Sequence, residues 1–130
     1  MKILAVDTAT KSCSVAVIDE DTLLAESTSL IDRTHSRKLL STIDTVLGKA
    51  GLKIAQLDGF AVSIGPGSFT GLRIGIASVK GLAFSLNKPV VGVSSLDALA
   101  FQCKPNQYLI CAVLDARKQE VYFCRYRDVK

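Results

Sequence analysis

The chain has little of what a metal or redox centre requires. Its 130 residues include one histidine, His35, and no tryptophan. A pair of metal-binding histidines on one helix face would need a second histidine four residues on, where Leu39 stands. The four cysteines show no C-x-x-C spacing, and disulfide frameworks belong to secreted chains. We therefore expect reduced cysteines and no catalytic metal.

Long apolar runs are also missing. No run approaches the ~20 residues that span a bilayer. The start, MKILAVDTATK, has only four apolar residues between Lys2 and Asp7, too few for a signal peptide. We therefore expect a cytoplasmic protein without membrane contact. Hydrophobic residues make up 48% of the chain, enough for the core of about one domain, and the net charge of +4 permits contact with RNA without identifying it.

Apolar patterns predict seven strands and three helices. The runs KILAV, SVAVI and TLLAEST, separated by tight turns, predict an antiparallel meander of three strands. A first helix, capped by Thr34 or Ser36, should end at Gly51 as its C′ residue. A fourth strand at 59–64 leads to a second helix from about Thr70 to Leu86. The remaining elements are a strand after Pro89, a short helix capped by Ser94 or Ser95, and the strands YLICAVL and EVYFCRY.

The order of these elements predicts a fold. A meander followed by βα crossovers, with the later strands parallel to the first, is the ribonuclease H-like arrangement, which also builds each lobe of the actin-like ATPases. We expect an α/β lobe with a mixed five-stranded sheet over residues 1–107. A faint repeat places Asp115 of ICAVLDARKQEVYFC where ILAVDTATKSCSVAV has Asp7. Residues 108–130 therefore read as the first two strands of an incomplete second lobe, which suggests a fragment.

The stretch SIGPGSFTGLRIG, residues 63–75, invites a phosphate-binding interpretation that its spacing only partly supports. A Walker A loop fails because Thr70 stands five residues after Gly65 and no lysine follows, and G-x-G-x-x-G fails at the same threonine. The loop still opens a helix, whose N-terminus attracts anions. Weak nucleotide binding thus stays open, with these candidate residues: Asp7, Thr8, Thr10, Ser68, Thr70 and Arg73.

Two enzyme classes of this fold are poorly supported. A ribonuclease H-like nuclease needs clustered carboxylates, yet the fourth strand ends at Gly65 and the first helix offers only Asp44. An actin-like ATPase normally has a glycine after its strand-ending Asp, whereas this loop continues Thr8-Ala9-Thr10-Lys11, where side chains limit close approach. We favour an interpretation in which Asp7 caps its own turn by accepting hydrogen bonds from the following amides.

The second helix carries a stripe of mostly small residues beside its apolar stripe. Each glycine inside a helix costs about 1 kcal/mol relative to alanine, which suggests that another backbone comes close. The stripe could receive a partner helix, or it could be buried within this domain against the first helix; the sequence leaves both open. Basic residues Arg33, Arg37 and Lys38 would lie at the edge of such an interface. The predicted interface comprises Leu39, Ile43, Val46, Gly71, Gly75, Ser78, Leu82 and Ser85.

The run GPGSFTGLRIGIASVKGLAF, together with ILAVDTATKSCSVAV and VLDARKQEVY, closely resembles the TsaB (YeaZ) family over essentially the whole chain. Family members resemble degenerate two-lobed actin-like ATPases. The resemblance implies a role in forming threonylcarbamoyladenosine in tRNA next to the anticodon. It implies a non-catalytic partner of TsaD, which carries the metal and transfers the threonylcarbamoyl group with help from the ATPase TsaE. It also implies homodimerisation through an overlapping helical surface, and contact with tRNA only through the complex.

Two hypotheses follow. The first is a non-catalytic scaffold for TsaD without a cofactor. The second is an independent enzyme of actin-like fold, an ATPase or a peptidase as the older label glycoprotease suggests. Turnover by the isolated protein, with and without TsaD, would distinguish them.

Overall fold

The computed structural model describes residues 1–30, 36–105 and 107–127. Its order of elements matches the predicted one, with a short 3₁₀ turn at Ile54–Gln56 added before the fourth strand. The strands are β1 (Lys2–Asp7), β2 (Ser12–Asp19), β3 (Thr22–Leu30), β4 (Gly59–Gly65), β5 (Val90–Ser94), β6 (Ile110–Arg117) and β7 (Glu120–Tyr126), and the helices are α1 (Ser36–Ala50), α2 (Phe69–Ser85) and α3 (Ser95–Phe101). Three residues named in the sequence analysis lie outside the described residues. They are Arg33, a predicted charge at the edge of the interface, Thr34, a possible cap of the first helix, and His35, the single histidine of the metal argument.

The main sheet has the strand order β3-β2-β1-β4-β5. The first three strands are antiparallel neighbours, while β4 pairs parallel to β1 and β5 parallel to β4. This is the ribonuclease H-like, actin-like lobe that the element order predicts. Because β1, β4 and β5 are parallel, their carboxyl ends meet at one edge of the sheet, and that edge carries both Asp7 and the loop after Gly65.

One face of this sheet forms the core with α1 and α2. Alternate residues of the strands point to the same face, so Leu4 and Val6 lie beside Val15 and Val17, all at most 2% exposed. The helices complete the cluster with the following buried side chains: Leu39, Ile43, Val46, Leu47, Val79 and Ala83. Apolar burial of this kind is the main favourable term in folding.

Helix ends follow the predicted chemistry where the structure describes them. Gly51 has φ +68°, and Leu52 N–H donates to Leu47 O at 3.0 Å, which closes α1 as a C′ glycine does. Ser94 caps α3, as predicted, and Ser68, for which the sequence predicted no cap, caps α2; each accepts a bond from the backbone N–H three residues on. Within the described ranges, no helix combines the length and apolarity that crossing a bilayer demands.

Strands β6 and β7 form a separate two-stranded antiparallel sheet. One face packs on α3, where Ile110 and Ala112 contact Leu96 and Ala100. The other face is open, since Val113 is 48% and Phe123 61% exposed. The separate sheet fits the expected start of a second lobe at residue 108, although that division of the chain stays a prediction.

Candidate functional site

The loop after β1 is built around Asp7. Its carboxylate accepts a hydrogen bond from the backbone N–H of Ala9 at 2.9 Å. A carboxylate bonded to the amide two residues on is the usual local arrangement of an aspartate in a turn. The structure therefore confirms that Asp7 caps its own turn, as the sequence favours.

The same loop is bonded to the start of α2. Ala9 O accepts from Ser68 N–H at 2.7 Å, and Thr8 Oγ1 donates to Gly71 O at 2.7 Å. Thr8 is only 3% exposed although it is a polar residue in a turn. Buried hydroxyl groups need a hydrogen-bond partner, and the helix backbone supplies one here.

Three glycines of the GPGSFTGLRIG stretch make this close approach possible. A Cβ added to Gly67 would collide with Ala9 O, one added to Gly71 with Thr8 O, and one added to Gly75 with Thr8 Oγ1, all well inside van der Waals contact. Gly71 and Gly75 are four residues apart in α2 and so lie on the same side of the helix, while Gly67 lies in the loop just before the N-cap Ser68. We call Gly67, Gly71 and Gly75 the glycine seat; it holds the backbone and side chain of Thr8 and Ala9.

The contacts of the glycine seat confirm the predicted close approach at Gly71 and Gly75, but the element that approaches is not the predicted one. The sequence predicted an approaching helix, from this chain or another. The approaching element is the β1–β2 loop of the same chain, which is continuous with the central part of the sheet.

The candidate phosphate-binding residues divide into two groups. Asp7, Thr8 and Ser68 come together, but their polar groups are already bonded to the backbone of Ala9 and Gly71: the Asp7 carboxylate accepts from Ala9 N–H, the Thr8 hydroxyl donates to Gly71 O, and Ser68 N–H donates to Ala9 O. Thr10, Thr70 and Arg73 lie outside this contact. The Thr10 hydroxyl is 3.0 Å from that of Ser12, Thr70 is exposed, and the Arg73 guanidinium lies 5.3 Å from the centre of the Phe69 ring.

None of the cysteines in the described residues lies in a disulfide. Cys13 on β2 is 1% exposed, and burial raises the pKa of its thiol, an effect that the nearby charge of Lys38 opposes. A raised pKa keeps the thiol protonated and therefore unreactive. Across the described part of the chain, no three His, Cys, Asp or Glu side chains converge as a metal-binding group would.

The predicted interface needs correction at five of its eight residues. Leu39, Ile43 and Val46 are at most 2% exposed because they pack on the chain's own sheet. Gly71 and Gly75 are buried against Thr8. None of the five therefore offers a surface to a partner. Of the other three, Ser78 and Leu82 are half-buried and Ser85 is exposed.

The sequence interpretation missed the exposed side of α2. Phe84 is 90% and Phe69 73% exposed, and Arg73 and Lys80 are exposed between them. The positions 69, 73, 80 and 84 fall within one narrow sector of a helix with 3.6 residues per turn. We call these four residues the outer face of α2. The helical spacing of two phenylalanines and two basic residues was the available signal, and it was hidden because α2 is apolar on several sides.

Comparison with known proteins identifies relatives over nearly the whole chain. A family model described as "TsaD: tRNA N6-adenosine threonylcarbamoyltransferase" matches residues 23–130. The tRNA threonylcarbamoyladenosine biosynthesis protein TsaB of Haemophilus influenzae is 41% identical over 128 residues, covering 95% of this chain and 52% of its own length. The chain thus spans about half the length of the curated relatives that it matches.

Solved structures agree on the fold. YeaZ from Pseudomonas aeruginosa superposes with a TM-score of 0.87 at 40% identity, covering 97% of this chain and 60% of that one. The ROK hexokinase of Thermus thermophilus superposes with a TM-score of 0.62 at 13% identity, covering 100% of this chain and 48% of its own. The second likeness concerns the fold alone, and it agrees with an actin-like lobe.

Proposed function

The chain belongs to the family that the TsaD model describes and, within it, to the TsaB (YeaZ) group, and on that premise we propose that it takes part in forming threonylcarbamoyladenosine in tRNA. Its role is that of a non-catalytic partner that supports TsaD. The observation that carries the proposal is the 41% identity, over 95% of the chain, to a protein named for this biosynthesis. As part of the same proposal, the chain acts in the cytoplasm and contacts tRNA only through the complex.

The glycine seat supports a role without nucleotide. In an actin-like ATPase, backbone amides of the loop after the first strand approach the phosphates of the nucleotide. In this chain the corresponding loop lies against α2, with the N–H of Ser68 and the hydroxyl of Thr8 bonded inside the junction. A phosphate would have to displace these buried bonds, each worth about 0.5–1.5 kcal/mol net. The proposal therefore includes no cofactor at this loop.

The outer face of α2 is the proposed surface for TsaD. Two exposed aromatic rings, Phe69 and Phe84, offer the apolar contact that usually supplies affinity at the centre of an interface. Arg73 and Lys80 offer charges that mainly affect the rate of encounter. The same face serves self-association when TsaD is absent, and TsaE joins only indirectly through TsaD.

Co-purification with TsaD tests the proposal. The chain should be retained by tagged TsaD of the same organism, and Phe84→Glu should abolish retention because it replaces an apolar contact of the proposed surface with a charge. Phe84 is 90% exposed, so the variant should keep its fold, as circular dichroism can verify. Phe123→Glu is the matched control, since Phe123 is an exposed phenylalanine on β7 and should leave retention unchanged.

Two results would contradict the proposal. Failure of TsaD to retain the folded parent chain would remove the partner role. Hydrolysis of ATP or of peptides by the isolated chain would instead favour an independent actin-like enzyme, the alternative that the older peptidase label suggests. A solved YeaZ relative from Pseudomonas aeruginosa is described as having similarity to a peptidase, so the assay should include peptide substrates.

A further inference from the structure

Thr8 joins the central part of the sheet to α2. It directly follows Asp7, the last residue of β1, and β1 lies between β2 and β4 in the sheet. Its hydroxyl donates to Gly71 O at 2.7 Å, its own carbonyl oxygen occupies the space left free at Gly71, and its hydroxyl occupies that left free at Gly75. One residue thus contacts two successive turns of the helix.

Ser68 N–H also donates to Ala9 O at 2.7 Å, but that bond holds only the N-cap residue; further along α2, the remaining contacts with the core are less directional. Val79 and Ala83, which are 0% and 3% exposed, pack in the apolar cluster beneath the helix. Apolar burial is non-directional, so it sets how close the helix lies more than how far it slides or turns. A hydrogen bond with a preferred geometry, combined with backbone that fits only where a Cβ is absent, restricts both movements.

We infer that Thr8 is a positioning residue, which sets the rotation and axial placement of α2 and thereby the placement of the outer face Phe69, Arg73, Lys80 and Phe84. The inference rests on the proposed function in so far as that face meets TsaD. Arg73 lies between the two glycines that contact Thr8, and Phe84 lies more than two turns further along the same helix. A change at Thr8 therefore reaches the outer face through a rigid helix, without touching a partner.

The test compares Thr8→Val, which keeps the shape and loses the hydroxyl, with Thr8→Ser, which keeps the hydroxyl. Thr28→Val is the control, because the Thr28 hydroxyl bonds Ser14 at 3.0 Å on an exposed part of β3. We expect Thr8→Val to shift the backbone amide resonances of α2 as far as Phe84 in the free chain. We expect it to weaken TsaD binding about three- to tenfold, the range that loss of one hydrogen bond allows. Thr8→Ser should restore both, and Thr28→Val should change neither.

Resonance shifts confined to residues 67–75, or unaltered TsaD binding by Thr8→Val, would overturn the inference. A purely stabilising role would lower the melting temperature without either effect. If Thr8→Val does not fold, Thr8→Ala takes its place with the same two readouts. If the parent chain fails to bind TsaD, the proposed function fails, while the resonance shifts of the free chain still decide whether Thr8 positions α2.

Discussion

The hairpins β1–β2 and β6–β7 have the same hydrogen-bonded aspartate turn, but they pack against very different neighbours. In each, the first strand leads to an aspartate whose carboxylate accepts a bond from the backbone N–H two residues on, Asp7 from Ala9 and Asp115 from Arg117. The first hairpin lies inside the five-stranded sheet, and α2 holds its loop. The second forms its own sheet, leaves one face exposed, and turns through Lys118 and Gln119, both at positive φ.

The difference shows that local sequence specifies the turn, whereas a neighbouring element decides what the turn does. The loop after Asp7 packs against the glycine seat, and its residues Thr8 and Ala9 are buried. The loop after Asp115 is exposed to solvent. Further along the same hairpin, β7 is bonded to α3, because the Tyr126 hydroxyl donates to the Asp97 carboxylate at 2.5 Å. That bond to a carboxylate raises the pKa of Tyr126, because deprotonation would break the bond and create a second negative charge.

The largest expected effect comes from filling the glycine seat. Gly71→Ala places a Cβ against the carbonyl oxygen of Thr8, which is backbone and cannot swing aside. We expect it to lower the free energy of unfolding by about 3 kcal/mol, the upper part of the range for overpacked sites. Urea denaturation measures this loss. Gly81→Ala in the same helix is the control: nothing lies within 4 Å of its added Cβ, so it should stabilise by up to about 1 kcal/mol.

The same substitution in both hairpins should give unequal losses. Val15 on β2 is 1% exposed and Val113 on β6 is 48% exposed. Val15→Thr buries a hydroxyl and should lower the free energy of unfolding by about 2 kcal/mol. Val113→Thr should change it by less than about 0.5 kcal/mol, as surface substitutions usually do. Thermal or urea unfolding measures both changes. If the two substitutions lower the free energy of unfolding equally, the two hairpins do not differ in burial as described.

Removing the two aspartates compares the turns directly. Asp7→Ala should lower the free energy of unfolding by about 1 kcal/mol, the usual net value of a hydrogen bond, because its turn is locked under α2. Asp115→Ala should cost less, since water can replace its bond at an exposed turn. Hydrogen exchange at the amides of Ala9 and Arg117 reports each turn separately. Slower exchange at the Arg117 amide than at the Ala9 amide in the parent chain would contradict the expectation that the turn at Asp7 is the better protected one.

The smallest effect concerns pH. The backbone N–H of Lys2, at the start of the first hairpin, donates to Asp58 at 2.7 Å, and this bond lowers the pKa of the Asp58 carboxyl. A carboxylate with a lowered folded pKa stabilises the fold above its ordinary pKa, and the stabilisation disappears as pH falls through the lowered value. Asp58→Asn should therefore slightly destabilise the chain near neutral pH and have no such effect well below about pH 4. Urea midpoints that differ equally at both pH values would argue against this bond.

Much of the fold follows from periodicity, which is a local property. Helical spacing of apolar residues predicts α1 and α2, the β-favouring residues of SVAVI and EVYFCRY predict β2 and β7, and Gly51 predicts the end of α1 because few other residues adopt its backbone conformation. The spacing of Gly71 and Gly75 likewise predicts a close approach. This spacing does not show which element approaches, because a helix and a loop that come this close both require small residues at these positions.

The site depended on tertiary contacts that no local pattern records. Thr8 reads as an exposed turn residue, and it is buried only because α2 covers it. Leu39, Ile43 and Val46 read as an available apolar face, and the sheet takes up that face instead. Phe84 reads as one more apolar residue of a buried helix, yet it is 90% exposed because the sheet covers the opposite side.

A double-mutant cycle between Thr8 and Gly75 tests the glycine seat most directly. A Cβ on Gly75 would collide with the side-chain hydroxyl of Thr8, so Gly75→Ala should cost about 2 kcal/mol in the parent chain. In the Thr8→Ala background that hydroxyl is absent, and the same substitution should cost less than about 0.5 kcal/mol, a coupling expected only for residues in contact. If Gly75→Ala costs the same in both backgrounds, Thr8 does not occupy the space at Gly75, and the glycine seat is wrong.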